Sequence, residues 1–218
     1  MKFFIDTAEI EEIKYLSELG LIDGVTTNPS LIYKSGKDFK TVIKEISELI
    51  DGPISAEVTS TVGKEMIDQG IELSKISKNI VVKVPLTEDG LKACKELSTQ
   101  NIKVNVTLCF SSAQALLAGK LGATYISPFI GRLDDIGTSG LNLIKEIVSI
   151  YNNYNKEIKT QVLAASIRSP LQVSQVAIMG AHVATIPPKI ITQMIKHPLT
   201  DSGLEIFMND WNKTGQKF

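Results

Sequence analysis

The sequence predicts a closed barrel of eight parallel strands, each followed by a helix, which is the (β/α)8 or TIM barrel fold. Short apolar, β-branched runs alternate with longer segments whose apolar residues recur at helical spacing. Eight such units follow one another at roughly 25 residues each, which favours parallel pairing through right-handed crossovers. The 218 residues suffice for one domain of this kind. An open, doubly wound sheet is the main alternative.

The first half of the chain supplies four of the predicted units. In the first unit a short apolar strand leads to Asp6, and Ile10, Ile13 and Leu16 then lie at helical spacing before Gly20. In the next three, a β-branched run precedes each amphipathic segment, and Gly and Pro residues punctuate the chain. The stretch between the second strand and its helix is predicted as a short connecting turn. The predicted strands are 2–5, 24–28, 54–58 and 79–85, and the predicted helices are 8–19, 37–50, 62–77 and 88–98.

The second half repeats the pattern four times and ends in an additional amphipathic segment. Leu204, Phe207, Met208 and Trp211 lie at helical spacing in this last segment. It is predicted as a C-terminal helical extension, 201–218, of a single barrel domain, 1–218. It could cap the barrel, dock on a neighbouring subunit or pack in the core. The predicted strands of this half are 103–108, 125–130, 161–166 and 183–186, and the predicted helices are 112–121, 139–151, 170–179 and 188–196.

Charge and cysteine content restrict the function classes. With 23 basic and 24 acidic residues, the chain is not expected to bind nucleic acid or an acidic membrane surface non-specifically. Cys94 and Cys109 lack the spacing of a metal or redox motif and are expected to be reduced thiols. No cluster of metal-ligating residues is visible in the sequence either, so no metal centre is expected. Because neither a signal peptide nor an apolar run of roughly 18 residues is visible, a cytoplasmic protein is expected.

A lysine inside an apolar strand is the first indication of chemistry. Val81, Val82 and Val84 surround Lys83 in a run that is typical of a strand buried on both faces. Lysine is almost never fully buried without a partner. Burial disfavours an ammonium ion, and a neutral amine can attack a carbonyl carbon. The alternative is that Lys83 lies at the strand end and extends its amino group into water.

Polar residues near the carboxyl ends of seven predicted strands favour the functional interpretation. Side chains alternate faces along a strand, and the opposite faces of these strands are mainly apolar. In a barrel covered by helices, the polar faces point inward and converge at the carboxyl-end mouth, where active sites of this fold lie. The eighth strand offers no obvious member. The set is Asp6, Thr26, Asn28, Ser55, Glu57, Lys83, Asn105, Thr107, Ser127 and Ser166. Because buried charges are costly unless paired, its three ionisable members exceed what packing needs.

Two arginines are candidates for binding a phosphate group. Arg132 follows the sixth strand and Arg168 follows the seventh, and the planar guanidinium group matches phosphate oxygens. At the same rim as a buried lysine, they indicate a phosphorylated carbonyl substrate. Asp134 and Asp135 are expected to be loop or capping residues, and the two histidines are expected to be structural.

Six blocks of the sequence resemble the transaldolase family, most closely its small, single-domain microbial branch, which also contains fructose-6-phosphate aldolases. They are Phe4-Ile5-Asp6-Thr7-Ala8, Gly24-Val25-Thr26-Thr27-Asn28-Pro29-Ser30-Leu31, Val82-Lys83-Val84-Pro85, Asn105-Val106-Thr107-Leu108, Ser127-Pro128-Phe129-Ile130-Gly131-Arg132 and Ala165-Ser166-Ile167-Arg168. The resemblance runs from end to end of the chain. It implies a (β/α)8 barrel that forms a lysine Schiff base without metal or other cofactor. It also implies a homo-oligomer, a pentamer or a decamer.

The resemblance also implies a role for each matching residue. Lys83 attacks the ketose C2 carbonyl, and water leaves with the help of Glu57, acting as acid and base through a water molecule that Thr107 holds. Asp6 takes the proton of the C4 hydroxyl, and the aldose product departs. The implied substrate-binding residues are Thr26, Asn28, Asn105, Ser127, Phe129, Ser166 and, for the sugar phosphate, Arg132 and Arg168.

Three positions bear on the choice between transfer and simple cleavage. Fructose-6-phosphate aldolases typically carry glutamine in place of Glu57, tyrosine in place of Phe129 and an apolar residue in place of Asn105. This sequence has the transaldolase residue at all three. The resemblance therefore implies transfer of a dihydroxyacetone unit from sedoheptulose 7-phosphate or fructose 6-phosphate to glyceraldehyde 3-phosphate or erythrose 4-phosphate, within the pentose phosphate pathway. The alternatives are a fructose-6-phosphate aldolase, an unrelated Schiff-base aldolase and a non-catalytic sugar-phosphate-binding barrel.

Overall fold

Eight strands close into a barrel, with helices around its outside, in the computed structural model, which describes residues 1–217. The strands follow chain order around the barrel, and each pairs in parallel with its neighbours until β8 meets β1. The prediction of a (β/α)8 barrel is confirmed, and the alternative of an open sheet is wrong. The strands are β1 Lys2–Asp6, β2 Gly24–Thr26, β3 Ile54–Glu57, β4 Ile80–Pro85, β5 Val104–Cys109, β6 Tyr125–Pro128, β7 Gln161–Ala164 and β8 Val183–Ile186.

Residues 1–217 contain eleven helices, and eight of them follow the eight strands as predicted. Several begin at a polar cap: the side chains of Thr87 and Ser111, for example, accept hydrogen bonds from backbone N–H groups in the first turns of their helices. The helices are α1 Ile10–Glu18, α2 Pro29–Ser35, α3 Phe39–Leu49, α4 Gly63–Ser74, α5 Glu88–Thr99, α6 Ser112–Lys120, α7 Ile130–Asp135, α8 Gly140–Asn153, α9 Pro170–Ile178, α10 Pro188–Ile195 and α11 Pro198–Lys213. None of these helices has the length and apolar character needed to cross a membrane.

Helices α2 and α7 stand where the sequence predicts a turn and a loop, so these two predictions are wrong. Helix α2 begins because Asn28 accepts a hydrogen bond from the Leu31 N–H at 3.0 Å and Pro29 occupies the first helical position. It ends at Gly36, whose φ of 65° suits a residue without a Cβ. Helix α7 has six residues, too few for a helical period to be visible in the sequence.

The last helix, α11, begins before the predicted position and contributes no buried residue. It starts earlier because His197 accepts a hydrogen bond from the Leu199 N–H at 3.1 Å, with Pro198 as the first helical residue. The final residue of the predicted extension, Phe218, lies outside the described residues. The expectation of core packing is wrong for this helix, because its large apolar side chains are exposed: Leu204, Ile206, Phe207, Met208 and Trp211.

Apolar side chains fill the amino-terminal half of the barrel interior. Phe4, Val81, Leu163 and Val183 are fully buried there, and Tyr125 packs against Phe4 edge to face at 5.8 Å between ring centroids. Fully burying one such side chain typically contributes about 1.5 to 3 kcal/mol. These side chains fill that half of the interior, which leaves the carboxyl-end half for a ligand.

The register of the strands places the polar residues side by side above these apolar side chains. Glu57 of β3 is level with Lys83 of β4, and Lys83 is level with Asn105 of β5. On the other side of the barrel, Asp6 of β1 is level with Thr26 of β2. The pattern of alternation and the parallel register thus bring residues that are far apart in the sequence to one level of the mouth.

Candidate active site

A cavity of about 150 Å³ lies at the carboxyl ends of the strands. Ten of the twelve predicted site residues line it, and the two that do not are Glu57 and Arg168. Ala165 and Thr185 complete the lining, although neither is among the predicted site residues. The cavity is lined by Asp6, Thr26, Asn28, Lys83, Asn105, Thr107, Ser127, Phe129, Arg132, Ala165, Ser166 and Thr185.

Lys83 is buried between this cavity and Glu57. Its amino group lies 3.0 Å from Oε2 of Glu57, and the exposed fractions of the two side chains are 7% and 14%. The amino group also donates a hydrogen bond to the carbonyl oxygen of Thr27 at 3.0 Å. The alternative prediction, in which Lys83 extends into water, is wrong because the strand continues to Pro85 and the lysine stays within the barrel.

Glu57 faces the far side of the lysine rather than the mouth. It borders a second cavity of about 390 Å³, which lies between α3 and α4. Its contact with the site is therefore the ion pair with Lys83. A carboxylate in this position can exchange a proton with groups bound to the lysine nitrogen without occupying the space that a ligand would fill.

Asp6 is a half-buried carboxylate in the wall of the cavity. The Thr26 hydroxyl donates a hydrogen bond to its Oδ1 at 2.8 Å. Burial raises the pKa of Asp6, whereas the positive charge of Lys83 and the hydrogen bond from Thr26 act in the opposite direction. A carboxylate with a raised pKa is a stronger base than an exposed one, so Asp6 is suited to take a proton from a bound hydroxyl group.

Asn105 belongs to a buried network of hydrogen bonds that crosses three strands. Its Nδ2 donates to the Ser55 hydroxyl at 3.1 Å, and the Ser127 hydroxyl donates to its Oδ1 at 2.7 Å. All three side chains are buried, and the two bonds fix the amide orientation of Asn105. The neighbouring Thr107 is different, because its buried hydroxyl has no hydrogen-bond partner among residues 1–217. This hydroxyl can bind a water molecule or a ligand in the cavity.

Aromatic rings and an arginine form the wall beside β6. The guanidinium carbon of Arg132 lies 5.0 Å from the centroid of the Phe129 ring, a typical cation–π distance. Phe110 packs against Phe129 in an edge-to-face arrangement, with 5.9 Å between the ring centroids. Arg132 is placed by helix α7, which begins directly after Phe129. The structure thus keeps one exposed guanidinium group at the cavity.

Arg168 does not reach the cavity, although it was predicted at the rim beside Arg132. It forms a two-pronged ion pair with Asp135, and its Nη2 lies 2.6 Å from Oδ2. The pKa of Asp135 is lowered by this hydrogen bond. Asp134 is a capping residue as predicted, because its Oδ1 accepts a hydrogen bond from the Gly140 N–H at 3.0 Å. Asp135, by contrast, is the partner of Arg168, a pairing across 33 positions that the sequence pattern could not reveal.

The sequence predicts Ser166 but not Thr185 as a cavity residue, and the structure places both there. Strand β7 ends at Ala164, and Ser166 reaches the cavity because its backbone takes a left-handed φ of 60°. Thr185 of β8 also faces the cavity, so the prediction that the eighth strand lacks a polar member is wrong. The signal for Thr185 was present, since it is a polar residue between Ala184 and Ile186. Because threonine is common in strands for packing reasons, a single threonine does not by itself indicate a site residue.

A closed (β/α)8 barrel with a lysine and two carboxylates at the carboxyl ends of its strands has the architecture of an enzyme. Within residues 1–217 no group of three or more His, Cys, Asp or Glu side chains could hold a metal ion. The model of the family described as "Transaldolase/Fructose-6-phosphate aldolase" matches residues 3–218. The chain belongs to this family, and the prediction of an enzyme related to transaldolases is confirmed.

Several relatives match the chain over its whole length. A protein of Chelativorans sp. is 61% identical over 217 residues, which cover 100% of this chain and 99% of the relative. A protein of Clostridioides difficile is 60% identical over 217 residues and 100% of both chains. A third relative, from Thermoanaerobacter sp., is 57% identical over the same length and coverage. Each of the three is named "Probable transaldolase".

A more distant solved structure shares the fold alone. Thiamine phosphate pyrophosphorylase from Pyrococcus furiosus superimposes with a TM-score of 0.57 at 18% sequence identity, covering 85% of each chain. At this level of identity the similarity extends to the barrel architecture but not to the chemistry of the site.

Proposed function

We propose that this protein is a transaldolase that moves a dihydroxyacetone unit between sugar phosphates through a Schiff base on Lys83. The observation that carries the proposal is the buried amino group of Lys83, which lies 3.0 Å from the Glu57 carboxylate and borders a polar cavity. The names of the full-length relatives support it. The proposed donors are sedoheptulose 7-phosphate and fructose 6-phosphate, and the proposed acceptors are glyceraldehyde 3-phosphate and erythrose 4-phosphate.

The first half of the proposed reaction forms the Schiff base. The ammonium group of Lys83 first gives a proton to Glu57, and the neutral amine then attacks the C2 carbonyl of the ketose. The resulting carbinolamine loses water to give a protonated imine. Glu57 supplies and takes up the protons of this step, through a water molecule held by the Thr107 hydroxyl. The proximity of Glu57 to the amino group and the unpartnered hydroxyl of Thr107 support these two roles.

The second half breaks and remakes a carbon–carbon bond. Asp6 takes the proton of the C4 hydroxyl, the C3–C4 bond breaks, and its electron pair moves to the imine to give an enamine on Lys83. The aldose product leaves, an acceptor aldehyde takes its place, and the enamine carbon attacks it while Asp6 returns the proton. Hydrolysis of the new imine releases the product ketose. The raised pKa of Asp6 supports its role as the base.

The remaining cavity residues are proposed to hold the substrate. Polar groups that line the cavity would bind its hydroxyl groups, and Arg132 would bind the phosphate group. Arg168 could join Arg132 only after it releases Asp135. The hydroxyl-binding set is Thr26, Asn28, Asn105, Ser127 and Ser166, all of which line the cavity.

Product analysis separates the transaldolase from the aldolase alternative. The protein is incubated with fructose 6-phosphate, with and without erythrose 4-phosphate, and sedoheptulose 7-phosphate and free dihydroxyacetone are measured. Sedoheptulose 7-phosphate that forms only with the acceptor is expected. Rapid release of free dihydroxyacetone without acceptor would contradict the proposal. Phe129→Tyr is expected to increase that release, because a phenol near the enamine can help water to protonate it.

Borohydride trapping separates the enzyme from a non-catalytic binding barrel. Reduction in the presence of fructose 6-phosphate is expected to attach the substrate carbon skeleton to Lys83, which peptide mass spectrometry would locate. Lys83→Ala is expected to abolish both the adduct and the transfer activity. Lys92→Ala is the matched control, since Lys92 is an exposed lysine of α5. Substrate binding without any adduct in the wild-type protein would overturn the Schiff-base mechanism.

We also propose that the chain is a single domain that assembles into a pentamer or a decamer in the cytoplasm, where it serves pentose phosphate metabolism. The exposed apolar side chains of α11 support an interface with a neighbouring copy. Sedimentation measurements would give the subunit number. Phe207→Asp is expected to dissociate the assembly, whereas Asp210→Asn, on the same helix, is expected to leave it intact. A wild-type monomer would contradict this part of the proposal.

A further inference from the structure

A chain of hydroxyl groups leads from the eighth strand to Asp6. The Thr185 and Thr26 hydroxyl oxygens lie 2.5 Å apart, and Thr26 Oγ1 lies 2.8 Å from Asp6 Oδ1. Both threonines are buried, with 4% and 2% of their surfaces exposed. The three residues come from β8, β2 and β1, and Thr185 borders the cavity. The mechanism proposed above does not use Thr185.

The direction of the hydrogen bonds follows from counting protons. An ionised carboxylate can only accept, so the single hydroxyl proton of Thr26 is the one that points to Asp6. Thr26 then has no proton left for Thr185. The proton between the two threonines must therefore belong to Thr185, which donates to Thr26.

We propose that Thr185 is a positioning residue. Its hydroxyl donates a hydrogen bond to Thr26 and thereby keeps the Thr26 O–H group directed at the carboxylate of Asp6. This inference rests on the proposed function, in which Asp6 is the base of the carbon–carbon bond cleavage. Thr185 itself is not assigned a direct part in the reaction. Without its donor, the Thr26 hydroxyl gains freedom to rotate away from Asp6, and the carboxylate loses both orientation and charge stabilisation.

The protonation of Asp6 also depends on the charged groups that surround it. Lys83 of β4 and Arg132 of α7 border the same cavity, and Glu57 of β3 stands behind Lys83. Among these, the positive charge of Lys83 acts on Asp6 together with the hydrogen bond from Thr26. Because Thr26 and Thr185 are neutral, Thr185→Val changes the hydrogen bonding of Asp6 without changing the charge of the site.

The test compares Thr185→Val with Thr185→Ser over a range of pH. The valine variant keeps the shape of threonine but lacks the donor. We expect it to lower kcat by about three- to tenfold, the size of one hydrogen-bond contribution, and to move the acid limb of the kcat/KM profile to higher pH. The serine variant keeps the donor and is expected to stay within about twofold of the wild type. A valine variant with the wild-type profile, or a serine variant as impaired as valine, would overturn the proposal.

Two further measurements distinguish positioning from a structural effect. Schiff-base formation precedes the step in which Asp6 acts, so the rate of borohydride trapping at Lys83 is expected to be unchanged in Thr185→Val. An equal loss of trapping and turnover would mean a general distortion and would overturn the proposal. In a Thr26→Val background, Thr185→Val is expected to have no further effect on kcat, because its only route to Asp6 is gone. Additive losses would show that Thr185 acts by another route.

The same experiment keeps this inference separate from the proposed function. If the wild-type protein forms no adduct and no sedoheptulose 7-phosphate, the proposed function fails, and the role of Thr185 fails with it. If the wild-type protein is active and Thr185→Val behaves like it, only the role of Thr185 is wrong.

Discussion

Replacing Asp6 by asparagine is expected to lower turnover strongly and to stabilise the fold at neutral pH. The site holds two carboxylates and one ammonium group, and the charge of Lys83 is already paired with Glu57 at 3.0 Å. The charge of Asp6 is therefore only partly compensated. Burial raises the pKa of Asp6 in spite of Lys83 and of the hydrogen bond from Thr26. A functional carboxylate in this position costs folding free energy.

The size of the effect depends on pH in a defined direction. A raised pKa means that the folded chain binds the Asp6 proton more tightly than the unfolded chain does, so ionisation weakens the folded state. The cost is absent below the unfolded value of about 3.8, grows as the pH rises to the raised pKa, and is constant above it. Since Asp6 is only half-buried and asparagine can still accept from Thr26, we expect Asp6→Asn to gain about 1 kcal/mol at pH 7, which is about 2 to 4 °C in Tm.

Thermal unfolding between pH 4 and pH 8 measures this effect, and the transfer assay measures the loss of function. The Tm of Asp6→Asn is expected to exceed that of the wild type at pH 7 and to approach it near pH 4, while turnover falls by about 100- to 10,000-fold. Asp51→Asn, at an exposed position, is the control and is expected to show neither change. Equal Tm values at pH 7, or a difference that does not depend on pH, would refute this account of the buried charge.

Two substitutions and one labelling experiment test other parts of the structure. Tyr151→Phe removes a 2.6 Å hydrogen bond from a buried hydroxyl to a carbonyl of α6 and is expected to lower the free energy of unfolding by about 1 kcal/mol in urea titrations; an unchanged midpoint would contradict this. Asp135→Asn frees Arg168 and is expected to lower the KM for fructose 6-phosphate by about two- to threefold if Arg168 binds phosphate; a KM that rises would argue against that role. Burial raises the pKa of Cys94 to about 11 and of Cys109 to about 12, so both thiols are expected to react with a disulfide reagent at pH 8 only after unfolding; rapid labelling of the folded protein would contradict their burial.

Strand alternation explains how much of the site could be predicted without coordinates. In a parallel barrel, the inward residues of all strands share one interior. A polar residue on the inward face of an otherwise apolar strand is therefore expected in that interior. That is why Lys83, Asn105 and Thr107 could be brought together from their sequence context. The rule requires extended backbone, and it holds for Asn28 because this residue continues the direction of β2 with a φ of −155°.

The features that could not be predicted depend on local backbone geometry or on distant partners. Ser166 is a predicted cavity residue, but it lies beyond the end of β7 and enters the cavity through a left-handed backbone, a geometry that alternation does not describe. At Gly131, a Cβ would lie 2.4 Å from the Ser166 carbonyl oxygen and 2.7 Å from Arg168 Nε, so glycine is needed where α7 passes the loop after β7. The position of Arg168 is then set by Asp135, which lies on α7. No pattern within either segment indicates that pair.

The two carboxylates of the site are suited to different parts of the proposed reaction because of where they lie relative to Lys83. When the C3–C4 bond breaks, the protonated imine becomes a neutral enamine, and Asp6 becomes neutral at the same moment because it takes the C4 hydroxyl proton. The net charge of Lys83, Glu57 and Asp6 together is then unchanged. Charge conservation in a half-buried site avoids the cost of creating an uncompensated charge. The raised pKa of Asp6 favours its protonation in this step. Glu57 lies on the far side of the lysine, so it can donate and accept the protons of water loss without entering the substrate cavity.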